Sequence, residues 1–202
     1  MPLPNRVDPF GVIFATPHHG AWMGNRGRLH DAGKHIRRRW AGKTWITCAL
    51  SFRGRHRPEL MAADSYTELF FLDEATAYAA GHRPCAECRR ADYNRFKAAF
   101  AASRPGEAVG KAAQMDAILH AERTAAVRAR ARASSLPDGA MAAIGGQAFL
   151  KRGGALSPWT PGGYGAPVPL PAGEVEVLTP PTILALLRAG LPVQFHPSAR
   201  AG

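Results

Sequence analysis

Three cysteines in 202 residues leave one thiol without a partner in any pairing, which excludes an even disulfide framework and points to a reducing compartment. No stretch approaches the roughly 20 consecutive apolar residues of a membrane helix, and the first residues lack an apolar segment of the signal-peptide kind. The expectation is a cytoplasmic chain with no membrane partner. Acidic residues are also scarce: 15 Asp and Glu stand against 26 Lys and Arg, a formal net charge of +11. Such an excess attracts polyanions, nucleic acid before membrane, although Arg with abundant Ala, Gly and Pro also accompanies GC-rich coding. Repeats with a period of 20 to 50 residues and low-complexity tracts are absent. What the chain does have is a hydrophobic share of 46%, enough for a packed core.

The segment Tyr66 to Arg90 carries the most chemistry. Thr67 to Leu72 reads as a strand, and Asp73 is placed to cap a short helix that Gly81 ends. Pro84 then stiffens the chain before Cys85-Ala-Glu-Cys88, a knuckle whose two thiolates can reach one ion. A dithiol redox pair and a chance pairing are the competing readings. Redox pairs usually open a helix directly after a strand, whereas a short helix and a Gly-His-Arg-Pro turn precede this one, which favours zinc. Tetrahedral Zn2+ needs four ligands. The remaining cysteine, Cys48, ends the strand-like run Thr44 to Cys48 and is the expected third; a histidine is the expected fourth.

Phe70-Phe71, an Ala-rich helix and Ala80-Gly-His-Arg-Pro-Cys-Ala-Glu-Cys88 together resemble the second half of the metal-binding domain of Ada, the bacterial DNA-repair regulator, over about residues 45–100. The resemblance implies a zinc knuckle completed by an earlier Cys-x3-Cys, in a site that accepts methyl groups from DNA. Here Cys48 stands near the first of those cysteines, but Phe52 occupies the second position. The resemblance therefore carries zinc binding onto Cys48, Cys85 and Cys88 and does not carry the methyl-accepting chemistry. His56 is the leading fourth ligand, with His30 and His35 as rivals. His82 falls where the family has an aromatic residue and reads as packing.

Before this segment, Met1 to Pro9 reads as a loose arm and Val12 to Ala15 as a short buried strand. Pro17 to Asp31 is a Gly-rich stretch with three histidines, which could hold a metal or a phosphate or form a polar surface turn. The basic runs Lys34 to Trp40 and Ser51 to Pro58 supply Arg37, Arg38, Arg39, Arg53 and Arg55, which with Arg90 are the candidate nucleic-acid contacts. Trp40 could stack on a base.

Tyr93, Phe96, Ala99 and Phe100 recur at helical spacing, so the chain from Ala86 to about Ala102 is expected to be an amphipathic helix. A second helix is expected from Lys111 to about Ser134, with Asp116, His120, Arg123 and Arg130 along one stripe and Glu122 near the middle of the apolar face. Asp116 orienting His120 would suit a general base, with Glu122 as a further catalytic candidate and Arg123 as an anion binder. The alternatives are an ordinary surface pair for Asp116 and His120, and an arginine partner for Glu122.

Gly145-Gly146 marks a hairpin between Ala140 to Ile144 and Gln147 to Arg152, and Gly153-Gly154 allows a third strand. Pro158 to Pro167 reads as an irregular loop whose Trp159 and Tyr164 either seal a core edge or form a stacking platform. Glu174 to Leu178 alternates as a strand, and Thr179-Pro-Pro is expected to cap a helix ending at Gly190.

The expected fold is α+β: a zinc-knuckle α/β half (1–105), a charged connecting helix (106–135), and a small antiparallel β-sheet with a C-terminal helix (136–202). The expected function is a zinc-stabilised nucleic-acid-binding protein, acting on DNA in a processing or repair role. The alternative is a small-molecule or nucleotide-directed enzyme with its pocket between the charged helix and the C-terminal sheet.

Overall fold

The computed structural model describes residues 1–55, 58–107 and 111–200. Among the described residues, two sheets and four α-helices make an α+β fold. The first sheet contains β1 (Arg6–Val7), β2 (Ile13–Phe14), β3 (Trp22–Asn25), β4 (Ile46–Cys48), β5 (Leu69–Phe71) and β6 (Arg83–Pro84), in the order β2-β1-β5-β3-β4-β6. The N-terminal arm is not loose. Val7 is buried, β1 runs parallel to β5, and the Phe70 amide donates to the Asn5 carbonyl at 2.8 Å. β2 is only half-buried, because it lies at the outer edge of the sheet. The Gly-rich stretch also departs from expectation, since β3 lies at the centre, antiparallel to both β4 and β5. Glycine is required there: a Cβ on Gly24 would stand 2.2 Å from the Phe71 ring.

The second sheet gathers β7 (Arg130–Arg132), β8 (Met141–Ile144), β9 (Gln147–Arg152), β10 (Ala155–Thr160), β11 (Gly163–Tyr164), β12 (Val168–Pro169) and β13 (Glu174–Val177). Its order is β11-β10-β9-β8-β13-β7, with β12 also paired to β10. The β8–β9 hairpin turns at Gly145 and Gly146, at φ 56° and 81°, as a turn with two left-handed residues requires. The Pro- and Gly-rich segment after Ser157 is more regular than expected, because Trp159 and Tyr164 pair across β10 and β11. Both rings seal the core. The Trp159 indole N–H donates to Thr76 Oγ1 at 3.0 Å and the Tyr164 hydroxyl to Asp73 Oδ2 at 2.9 Å.

Between the sheets lies α1 (Glu74–Ala79), all six residues of which are buried. Asp73 caps it by accepting from the Thr76 amide at 2.9 Å, and Gly81 follows at φ 80°. Ala77 packs with Leu69 and Phe71 of the first sheet, whereas Ala75 and Ala79 pack with Met141, Ala143 and Leu150 of the second. The helices α2 (Arg90–Ala102), α3 (Ala112–Arg123) and α4 (Pro181–Arg188) close the largest core cluster. It joins Phe96 and Phe100 of α2, Met115 and Leu119 of α3, and Ile183 and Leu186 of α4 to Val175 and Val177 of β13.

The second helix is shorter than its periodicity suggests. The Thr124 hydroxyl turns back onto the His120 carbonyl, and Arg130–Arg132 pairs with β13 as β7 instead of continuing the helix. Arg130 therefore leaves the stripe of Asp116 and His120.

Candidate metal centre

Cys48 ends β4, and the knuckle follows β6 directly. The parallel register places Thr47 opposite Pro84, and the Cys85 amide donates to the Thr47 carbonyl at 2.8 Å. Arg89 pins the other end of the knuckle. Its buried guanidinium pairs with Glu74 of α1, donates to Thr47 Oγ1 at 3.2 Å and to Asp92 Oδ2 at 3.0 Å, and lies 3.9 Å above the Trp22 ring. Neither Arg89 nor Glu74 stood out in the sequence, because 15 residues separate them and each looks like a surface charge until the fold buries it.

The result is convergence of Cys48, Cys85 and Cys88, whose sulfurs all lie within 4.8 Å of one another. Sulfurs on a tetrahedral zinc with bonds of about 2.3 Å stand about 3.8 Å apart, so small side-chain adjustments fit the trio to a metal. The Glu87 amide points at Cys85 Sγ, 3.4 Å away. A hydrogen bond from the Cys48 thiol, and then the Cys88 and Glu87 amides, pull the Cys85 thiol down to about 5 against the opposing effect of burial. Cys48 is pushed up, chiefly by that same bond and by burial, and burial also raises Cys88. Of the three, Cys85 is the thiol shifted toward the thiolate, the form that ligates a cation.

Among the described residues no histidine joins the sulfurs. His56, the leading expected ligand, lies outside those residues. His30 is buried, with Nδ1 at 2.6 Å from Thr67 Oγ1 and Nε2 at 3.1 Å from the Ala62 carbonyl, and exposed His35 stands beside Asp31. Both rival ligands are thereby placed elsewhere. A pocket of 190 Å3 opens beside the sulfurs, with Asn25, Phe52, Arg55, Tyr66 and Glu87 in its walls.

The candidate phosphate-binding arginines fall into two groups. Arg53, Arg55 and Arg90 are exposed near the knuckle; Arg55 forms an ion pair with Glu87, and all three lower the Glu87 pKa, Arg55 most. Arg37, Arg38 and Arg39 lie on the chain between β3 and β4, where Arg37 donates to Asp31 at 2.6 Å. Arg39 stacks by Trp40 and enters the wall of a different cavity.

The catalytic constellation expected on α3 does not assemble. Asp116 is buried and held at two points by Arg83, Nε to Oδ1 at 2.7 Å and Nη2 to Oδ2 at 2.8 Å, with Thr44 Oγ1 donating at 3.0 Å. Among the described residues nothing links it to His120. The His120 ring instead meets Trp40 and Trp45 edge-on and lies 3.3 Å from an Arg123 nitrogen. Burial, then Arg123 and Lys43, lower its pKa. Glu122 has a structural role: it accepts from the Thr182 amide at 3.0 Å and from the Thr182 hydroxyl, with Arg104 at 3.6 Å. It therefore caps α4 from outside, while Thr179 bonds the Met141 amide instead of the helix.

In a second cluster His82 packs as the sequence suggested, but its partners were not foreseen. The guanidiniums of Arg26 and Arg123 both lie over the Trp45 ring, 4.0 Å and 4.1 Å from its centroid. His82 packs as an aromatic, 4.6 Å from Phe71 and 5.2 Å from Trp45, and accepts from Arg26 Nε at 3.2 Å. Partners 56 residues apart leave no local signature; only the period-2 pattern of the strands could have hinted that Arg26 and Trp45 share a face. Comparison with family models, with curated proteins and with solved structures finds no match for this chain.

Proposed function

We propose that the protein is a zinc-stabilised nucleic-acid-binding protein, with DNA as its polymer. The observation that carries this reading is the meeting of three sulfurs from two distant segments beside exposed Arg53, Arg55 and Arg90. Cys48, Cys85 and Cys88 hold the ion. Bound zinc supplies folding energy, because thiolates that converge only in the native chain bind it only there. The arginines contact phosphates. The Arg55–Glu87 pair is exposed on both sides, and such pairs contribute little, so a phosphate can take its place. Net charge of +11 supports the same reading. The local resemblance to the Ada metal-binding domain agrees with it and extends it to a repair-associated role. The rival reading, an enzyme with an Asp116–His120 base, loses its support because Arg83 takes up Asp116.

The test is metal analysis combined with duplex-DNA titration across a salt series. A single zinc per chain, lost in Cys48→Ser and Cys85→Ser, is the expected result. Log affinity should fall linearly with log salt, at about 0.9 per neutralised phosphate, and the slope should shrink in the R53M/R55M/R90M variant. Zinc retained without Cys48, or a slope that ignores the triple variant, overturns the reading.

A further inference from the structure

A cavity of 430 Å3 lies away from the cysteines, between the C-terminal end of α3 and the connection from β13 to α4. Pockets for small molecules are about 300–1,000 Å3, with apolar walls and a few convergent polar groups, and this one matches that description. Val177, Leu178 and Leu184 supply apolar wall, and Trp45, Arg39 and Arg123 supply an aromatic and cationic one.

Charge in the wall is unevenly satisfied. The carboxylate, Glu122, is engaged by Thr182, and Arg128 is engaged by Glu176 and the Phe10 carbonyl. Arg123 is fixed by donating to the carbonyls of Gly81 and Lys43, with its stem packed on Gly81, where a Cβ would collide at 2.6 Å. Its Nε is nevertheless buried with no acceptor among the described residues. Arg39 is exposed and makes no hydrogen bond or ion pair among those residues, only its stacking on Trp40. Behind the wall, Arg26 is buried, with 1% exposure. Its Nη1 donates to the carbonyl of Gly11, a lining residue, at 3.0 Å, while its Nη2 has no acceptor. Buried guanidinium N–H groups without acceptors are costly, and three positive side chains converge here, with Asp8 acting on Arg26 and Asp116 and Glu122 on Arg123 only from beyond hydrogen-bond contact with those orphaned N–H groups.

We propose that this cavity binds a small organic anion, with a phosphate or carboxylate head at Arg39 and Arg123 and a flat apolar body against the aliphatic wall. Burial and mutual repulsion support the assignment, since both pull Arg26 down, burial first and then Arg123 and Arg39. Arginine stays protonated in proteins, so Arg26 keeps its charge, and the opposing effect of Asp8 does not outweigh burial and its arginine neighbours. The site stands apart from the metal centre and does not depend on the nucleic-acid reading.

The test is calorimetric titration of the full chain with phenyl phosphate, benzoate and phenol, followed through the Trp45 indole signal by NMR. At least one anion should bind and shift that signal, with phenol weaker by about tenfold or more, as loss of charge-assisted hydrogen bonds entails. The tighter of the two anions identifies the head group. Arg39→Met should weaken anion binding several-fold and leave phenol unchanged, and Arg123→Met should do the same. Because Arg39 has no structural bond, its variant remains informative even if Arg123→Met misfolds. Phenol binding as tightly as both anions, no saturable binding of either anion, or affinity unchanged in Arg39→Met would each overturn the proposal. So would an equal loss in R53M/R55M/R90M, which would reduce the effect to general basicity. That triple variant is the one expected to impair DNA binding, so the two readings fail separately.

Discussion

Arg83 and Asp116 form a two-point ion pair in which each side chain is only 4% exposed. The pair ties the edge strand β6 to α3, and Thr44 adds a third bond to the same carboxylate. Removing one member of such a pair leaves an uncompensated buried charge, at a cost of about 3–5 kcal/mol. Asp116→Ala should lower the urea midpoint accordingly, whereas the double replacement R83M/D116L should recover most of the loss. Equal damage from the single and double variants would show that the charge is not what matters.

His82 makes stability sensitive to acid. Burial first, and then Arg26 and Arg123, hold its imidazole well below the ordinary value of 6.5. The folded protein therefore keeps His82 neutral while the unfolded chain takes up a proton below that pH. The unfolded state then binds more protons, so the contribution is complete above pH 6.5 and declines as pH falls, by up to about 1.4 kcal/mol per unit. Denaturation midpoints at pH 7.5 and 5.0 should differ less in His82→Gln than in the parent chain.

Glu122 replaces the cap that α4 lacks, since Pro180 at its N-cap offers no side-chain acceptor. Glu122→Ala should cost about 1–2 kcal/mol, the usual range for a lost cap, and Glu122→Gln should cost less. Equilibrium unfolding of both variants measures the difference; equal losses would indicate that negative charge at the helix end, and not hydrogen bonding, dominates.

Gly24→Ala tests the centre of the first sheet. Its Cβ would overlap the Phe71 ring, and overpacking of this kind costs about 1–3 kcal/mol. The pair G24A/F71L should be more stable than Gly24→Ala alone, which a thermal melt would register.

Elements whose signals are local were legible in the chain. Asp73 and Gly81 bracket α1, Gly145-Gly146 marks its hairpin, and the Tyr93, Phe96, Phe100 spacing gives the buried face of α2. The Cys-x2-Cys knuckle announced itself, and Cys48 was found by counting ligands. The misses share one cause, since long-range pairing overrode a local pattern. Arg6–Val7 became a strand because β5 offered an edge to pair with. Arg130–Arg132 left its helix for β13, and Asp116 turned from its neighbour four residues on to an arginine 33 residues back. The cluster around Trp45 combines Arg26, His82 and Arg123, which no window of sequence contains together.

The helix α1 has no face turned to water, and opposite sides of it belong to different sheets. Neither sheet can come apart without tearing this helix from the other, so the chain has no soft joint at its middle. Heating should therefore melt the whole chain as one cooperative unit, with the cysteine knuckle and the distant arginine cavity lost at the same temperature.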